Sequence, residues 1–419
     1  MTAPRRADGR CPAHASTPQQ PVRPLPIYGP AFSADPQATY TRLRRQGPIA
    51  PVEIAPGVWG YLTTTYRSAL HLLRNTPSRF AKNPGHWQAL ATGRVPADSP
   101  ALMMMRPRDN ALWMDGHEHT RLRHAITSGL ARVDTHALAA TVKAIADQLI
   151  DAFAPTGSGD LVAQYADPLP MLTMTQVFGS PPDIGQRIVV AIATLFDTEQ
   201  DSVAANSDLE AACLALTRQK RRRPGPDVVS WLIEAGLGDE EMVQTTLLVI
   251  GAATTPSSNL IMNGLRRTIT DSRFAGTVHD GVHPVSAALD EVLWDDPPVS
   301  NYSPLYALGH QTYQGIVLPP GYPILVSFAA ANSDPALTRE PGSRAGNRGH
   351  LAFSAGVHGC PAPDLARIIA ETAIERALDR LPYLTLATDQ PQRRPGTFHS
   401  GLTALPVRFQ PAAPIPTGR

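Results

Sequence analysis

Four groups of residues have the types and spacing to do chemistry. Cys360 ends the stretch Phe353-Ser-Ala-Gly356-Val-His358-Gly359-Cys360 and is followed by Pro361 and a helical pattern over 361–381. Proline is favoured at the first position of a helix, so the spacing predicts a thiol at a helix N-terminus. Unpaired N–H groups and the positive end of the helix dipole favour a thiolate there. Gly356 and Gly359 let the loop turn its amides inward, Phe353 can shield the sulfur, and His358 can donate to an anion. The plain alternative is a small buried cysteine. His119 and Arg123 stand four residues apart, on one face of a helix. They suit carboxylates, which arginine can bind bidentately; otherwise they form a solvated face. In Gly251-Ala-Ala-Thr-Thr-Pro-Ser-Ser-Asn259, the hydroxyls of Thr254, Thr255 and Ser257 surround Pro256. A proline inside a helix frees the carbonyl four residues earlier, here that of Ala252. A bend with a polar notch for water or dioxygen is expected, or a kink that serves packing alone. Glu291 and Trp294 form the fourth group.

The elements that must position these groups are mostly helical. Apolar residues at spacings of three and four predict helices over 118–131, 134–154, 160–179, 182–197, 203–222 and 226–236. The longest runs over 239–270 and starts on Asp239-Glu240-Glu241, acids suited to a first turn. Another covers 283–294. Helices over 36–46 and 66–75 flank strands at 49–54 and 58–63, joined by an Ala-Pro-Gly turn. Strands are also expected within 311–328 and near 402–410. The stretches 76–112 and 333–350 read as irregular. The result is a mainly α chain with small β regions in noncontiguous pieces.

Composition narrows the function. The 419 residues carry 37 Lys+Arg against 36 Asp+Glu, a formal net charge of +1. So even a balance argues against a nucleic-acid partner, which would need a basic stripe. Three cysteines are too few for a disulfide framework and fit a reducing compartment. Residues 1–26 read as a loose polar arm without the apolar core of a secretory signal. No run reaches the roughly 18 apolar residues of a membrane span. A soluble, cytoplasmic protein is expected.

The cysteine loop resembles the haem-binding loop of the cytochrome P450 superfamily, Phe-x-x-Gly-x-His-x-Cys-x-Gly, in its bacterial soluble form. Phe353, Gly356, His358 and Cys360 match, and Ala362 stands where glycine is usual. The resemblance covers nearly the whole chain. It implies the cytochrome P450 fold, with 27–419 as a single haem domain. It makes Cys360 the axial thiolate ligand of haem b iron, a ligation that favours O–O cleavage. His119 and Arg123 resemble the family's His-x-x-x-Arg, preceded by Leu112-Trp-Met-Asp-Gly-His-Glu118, and with His358 they are implied to hold the haem propionates. Phe353, Gly356 and Ala252 are implied to line the haem.

Three departures qualify the resemblance. The family's Glu-x-x-Arg reads Glu291-Val-Leu-Trp294 here. An unpaired buried carboxylate opposes folding, so Glu291 is expected to pair with an arginine of the irregular stretch, Arg348 first and Arg344 failing that. The family's acid–alcohol pair in the long helix is absent in every register, leaving Thr254, Thr255 and Ser257 as the candidate catalytic hydroxyls. Leu305 stands where relatives often carry arginine. The implied function is O2-dependent oxidation of a small organic, secondary-metabolite substrate by a monomeric enzyme served by a ferredoxin and ferredoxin reductase. Hydroxylation and oxidative C–C or C–N coupling of an aromatic substrate are both open. The rival is a non-catalytic or redox-neutral haem protein of the same fold.

Overall fold

A computed structural model describes residues 24–196, 202–275, 284–337, 344, 346–388 and 390–415. Most of the expected arm, 1–23, lies outside the described residues. Its end does not: Leu25–Pro26 (β1) pairs in parallel with Ile49–Ala55 (β2). The other strands are Val58–Thr63 (β3), Phe80–Ala81 (β4), Ser158–Asp160 (β5), Asn301–Ala307 (β6), Gln311–Tyr313 (β7), Ile316–Leu318 (β8), Pro323–Ser327 (β9), Thr385–Leu386 (β10) and Pro406–Arg408 (β11). Six of them form a sheet in the order β1-β2-β3-β9-β6-β4, three form β10-β11-β5, and β7 pairs with β8.

The principal helices are Tyr66–Arg74 (α1), Gly116–Leu130 (α2), Thr135–Asp151 (α3), Pro168–Val177 (α4), Pro182–Phe196 (α5), Ser202–Arg222 (α6), Val228–Glu234 (α7), Asp239–Thr270 (α8), Val285–Asp295 (α9) and Pro363–Arg380 (α10). α8 occupies its expected span, with the Glu241 carboxylate accepting from the Gly238 N–H at its start. Pro256 lies inside α8, yet the helix is continuous on both sides of it. Leu260, Ile261 and Leu265 of α8 share one apolar core with Leu289 of α9 and with Ile369 and Ile374 of α10. Gly264 permits this crossing, because a Cβ there would lie 2.4 Å from Ile374 Cδ1. Arg376 and Arg380 of α10 clamp Asp147 and Asp151 of α3.

Three expectations differ from the structure. The helix expected over 160–179 is instead β5, a π-helical turn at Val162–Ala166 and then α4. Asp160 is drawn into the sheet, where its carboxylate accepts from the Leu405 N–H at 2.8 Å, and Pro168 cannot continue a hydrogen-bonded helix from before it. β6 had no strand pattern because Pro304 interrupts it and Ser303 takes a positive φ of 51°. The stretch 76–112 contains β4, a short 3-10 turn at Pro84–His86 and two short helices, Gln88–Ala91 and Pro100–Met105. No helix among the described residues is long and apolar enough to cross a membrane.

Candidate active site

The Cys360 loop is held by backbone bonds. The Cys360 N–H donates to Phe353 O at 2.8 Å and the Gly359 N–H to Gly356 O at 3.0 Å. Gly356, at φ +72°, passes so close to α1 that a Cβ would stand 2.5 Å from Leu73 O; no other residue fits there. The following helix begins at Pro363, not at Pro361. A residue before proline is pushed out of the helical region, and Ala362 accordingly sits at φ −137°, ψ 47°. One amide still reaches the sulfur: the Ala362 N–H donates to Cys360 Sγ at 3.4 Å. Burial pushes the Cys360 thiol up, against the pull of that N–H and of Arg123. The expected low thiol pKa is thus not a property of the loop alone. A thiolate in such a place calls for a cation beside it.

Around this loop the structure gathers His119, Arg123 and His358. Arg123 Nη2 donates to Gly359 O. The His119 and His358 rings stack with centroids 3.9 Å apart. His119 is buried, and burial followed by the neighbouring His358 lowers its pKa to about 4. Burial also lowers that of His358. Both are therefore neutral donors at neutral pH. Two residues not singled out from the sequence complete the cluster. Asp115 lies 3.6 Å from His358 Nε2 and accepts the backbone N–H groups of Lys82 and Asn83. Lys82 itself is 1% exposed. Among the described residues, the buried Nε2 atoms of His119 and His358, and Asp115 Oδ1, have no hydrogen-bond partner. Such atoms are costly to leave unmet, so the cluster is complementary to something polar.

α8 supplies the other wall. Gly251 and Ala252 are exposed in the middle of this helix, although Ile250, Thr254 and Ser257 are buried. Ala253 packs on the same apolar cluster as Ala362 and Leu365 from the start of α10. α8 and the residues that open α10 thus share one apolar cluster. Thr254 and Ser257 are buried and Thr255 half-buried. Thr254 Oγ1 has only a 3.5 Å contact to Gly251 O. An acid does reach α8, from another element: Ser258 Oγ donates to Asp167 Oδ1, and Asp167 Oδ2 pairs with Arg394 at 3.2 Å. Asp167 stands 91 residues from Ser258, and no local pattern reveals such a pair.

The expected Glu291–Arg348 pair does not form. Glu291 pairs with Arg267 and Arg273, Arg348 with exposed Asp364, and Arg344 with Asp295. The carboxylate is ion-paired, but it points back toward α8. The irregular stretch is held by the neighbours of Glu291. Asp290 Oδ2 accepts the Gly346 N–H at 2.7 Å while its other oxygen pairs with Arg367 at 2.6 Å. Trp294 Nε1 donates to Asn347 O at 2.9 Å. The Arg344 guanidinium lies over the Trp294 ring, and His350 links that ring to Phe353 through two aromatic contacts. Leu305 is fully buried on β6.

One sulfur donor, a cluster of buried donors and cations suited to carboxylates, and an open helix face fit a flat iron cofactor with carboxylate arms, which is haem. No family model matches the chain. Among curated proteins, it is 29% identical over 410 residues to the cytochrome P450 monooxygenase PikC of Streptomyces venezuelae, covering 94% of this chain and 96% of that one. It is 27% identical to 2-hydroxy-5-methyl-1-naphthoate 7-hydroxylase of Streptomyces carzinostaticus, over 90% of this chain and 96% of that one. Among solved structures, CYP154C4 from a Streptomyces species matches with a TM-score of 0.83 at 28% identity, over 93% of this chain and 99% of that one.

Proposed function

We propose that the chain is a cytochrome P450: a cytoplasmic haem-thiolate oxidoreductase of secondary metabolism that acts with dioxygen on a small organic substrate, and in which Cys360 ligates the iron of haem b. The observation that carries this assignment is the backbone-fixed loop that holds Cys360 Sγ with the Ala362 N–H upon it, tied by Arg123 and the stacked His119 and His358 to α2. Residues 27–419 act as one haem domain and a monomer. A ferredoxin and its reductase supply electrons.

When bound, haem supplies the iron at which dioxygen is reduced and cleaved, a chemistry that a thiolate ligand favours. The chain's own residues do the rest. The Ala362 N–H stabilises negative charge on the sulfur, and Arg123 ties the loop to α2 through Gly359 O. His119, Arg123 and His358 provide donors for the propionates. Phe353 and Gly356 keep the loop close-packed, and Ala252 leaves room on α8. Protons reach the oxygen side through hydroxyls. Ser258 Oγ donates to Asp167 Oδ1 at one end of that path, and Thr254 lies one turn away on the same face of α8. Thr255 and Ser257 flank that path and hold water.

Hydroxylation takes one oxygen into the substrate and returns the other as water, at the cost of two electrons and two protons. Coupling removes two hydrogens from the substrate and returns both oxygens as water. Consumption of NADPH with a surrogate ferredoxin and reductase, under 18O-labelled dioxygen and across a panel of small aromatic and macrocyclic substrates, tests the reading. Substrate-dependent consumption with a product is expected, and label in the product separates hydroxylation from coupling. Haem-loaded protein that consumes no NADPH with any substrate would support the non-catalytic alternative.

A further inference from the structure

We propose that Lys82 holds one carboxylate of the bound haem, as the second cationic anchor beside Arg123. This rests on the haem reading above. Lys82 follows β4, whose pairing of Ala81 with Tyr306 lays it against β6. Its side chain is buried, and Nζ donates to Ser303 Oγ at 3.0 Å and stands 5.6 Å from the centroid of the Trp113 ring. No carboxylate pairs with that ammonium among the described residues. Asp115, the acid nearby, turns Oδ2 to the backbone N–H groups of Lys82 and Asn83, and its Oδ1 lies 3.6 Å from His358 Nε2.

A buried ammonium without a counter-ion is strongly disfavoured and normally sheds its proton. Burial does pull Lys82 down, to about 7, with only Asp115 opposing. The chain nevertheless builds this position with care. Ser303, a non-glycine residue at φ 51°, lies where the β6–β9 register shifts between Tyr302 and Leu305. Its hydroxyl thereby meets the ammonium. Arg123 is in the same position, since no carboxylate pairs with it either among the described residues. Two cations without acids, beside two buried histidines whose Nε2 atoms have no hydrogen-bond partner among the described residues, match a ligand carrying two carboxylates. Leu305 on β6 offers no charge, whereas Lys82, just after β4, supplies one.

The test uses the haem-loaded enzyme and does not depend on turnover. In Lys82→Met, haem should pass to excess apomyoglobin on the order of 10- to 100-fold faster than from the parent, as expected for one charged hydrogen bond. The propionate bending band in the resonance Raman spectrum should shift. Lys82→Arg should restore both, and Lys82→Gln should restore neither. Unchanged transfer, or faster transfer with an unshifted band in both neutral variants, would overturn the assignment. If Lys82→Met takes up no haem, Lys82→Gln and Lys82→Arg decide by the same two readouts. The carbonyl spectrum reports the sulfur ligand and should be unaffected by Lys82→Arg, so a failure of the thiolate reading would be seen separately in the parent.

Discussion

Asp290 and Arg367 form a buried ion pair at 2.6 Å, with both side chains about 5% exposed. It joins α9 to α10, the helix that follows the cysteine loop, and Asp290 also anchors the irregular stretch through Gly346. Glu291, one residue on, pairs with Arg267 and with Arg273, which is 43% exposed. The two acids should therefore respond differently. Asp290→Asn leaves Arg367 with Glu371 at 3.2 Å, but it removes the fully buried half of that arginine's pairing and weakens the hold on Gly346, so it should cost about 2–3 kcal/mol. Glu291→Gln leaves arginines that keep Asp271 and Asp295 as partners and should cost about 1 kcal/mol or less. Urea unfolding of both variants, with haem content, checks this; equal losses would contradict it.

Trp294 bonds Asn347 O and carries Arg344 on its ring. Trp294→Arg would place a second cation against Arg344 and leave the ring's volume poorly filled, so a loss of about 2–4 kcal/mol and lower haem content are expected. Trp294→Phe loses mainly the hydrogen bond and should cost about 1 kcal/mol. A Trp294→Arg variant that melts above the parent would contradict the packing account.

The buried His350 has a pKa lowered by burial to about 4 from 6.5. The unfolded chain therefore takes up this proton first as pH falls below 6.5, so stability present above that value is lost progressively toward pH 4. One site shifted this far contributes up to about 3 kcal/mol. His350→Gln should flatten the fall in stability between pH 6.5 and 4; an unchanged slope would show that His350 plays no part in it.

Asp167, bonded by Ser258, brings an acid to the middle of α8, where the helix has none of its own. Asp167→Asn and Ser258→Ala should each lower kcat by roughly 10-fold or more with little change in KM, and should alter the solvent isotope effect. Changes confined to KM would place the pair outside proton delivery.

Much of this was legible in the sequence because it is local. α8 shows its start and its length through acids and periodicity, and the cysteine loop carries its glycines at fixed offsets. The hidden parts are long-range or irregular. Lys82 and Ser303 meet only because β4 pairs with β6, and β6 is masked by Pro304 and a register shift. Glu291 was matched by position in a motif, whereas its partner is decided by which side of α9 faces Arg267 and Arg273. The α10 start shifted by two residues because Pro363 pushes Ala362 out of the helical region, so the helix cannot open at Pro361.

The central claim is the sulfur ligand. The reduced protein with carbon monoxide should show the red-shifted Soret band of thiolate ligation. Cys360→Ser should abolish it, and Cys213→Ser and Cys11→Ser should leave it intact. A red-shifted band that survives in Cys360→Ser would contradict the account.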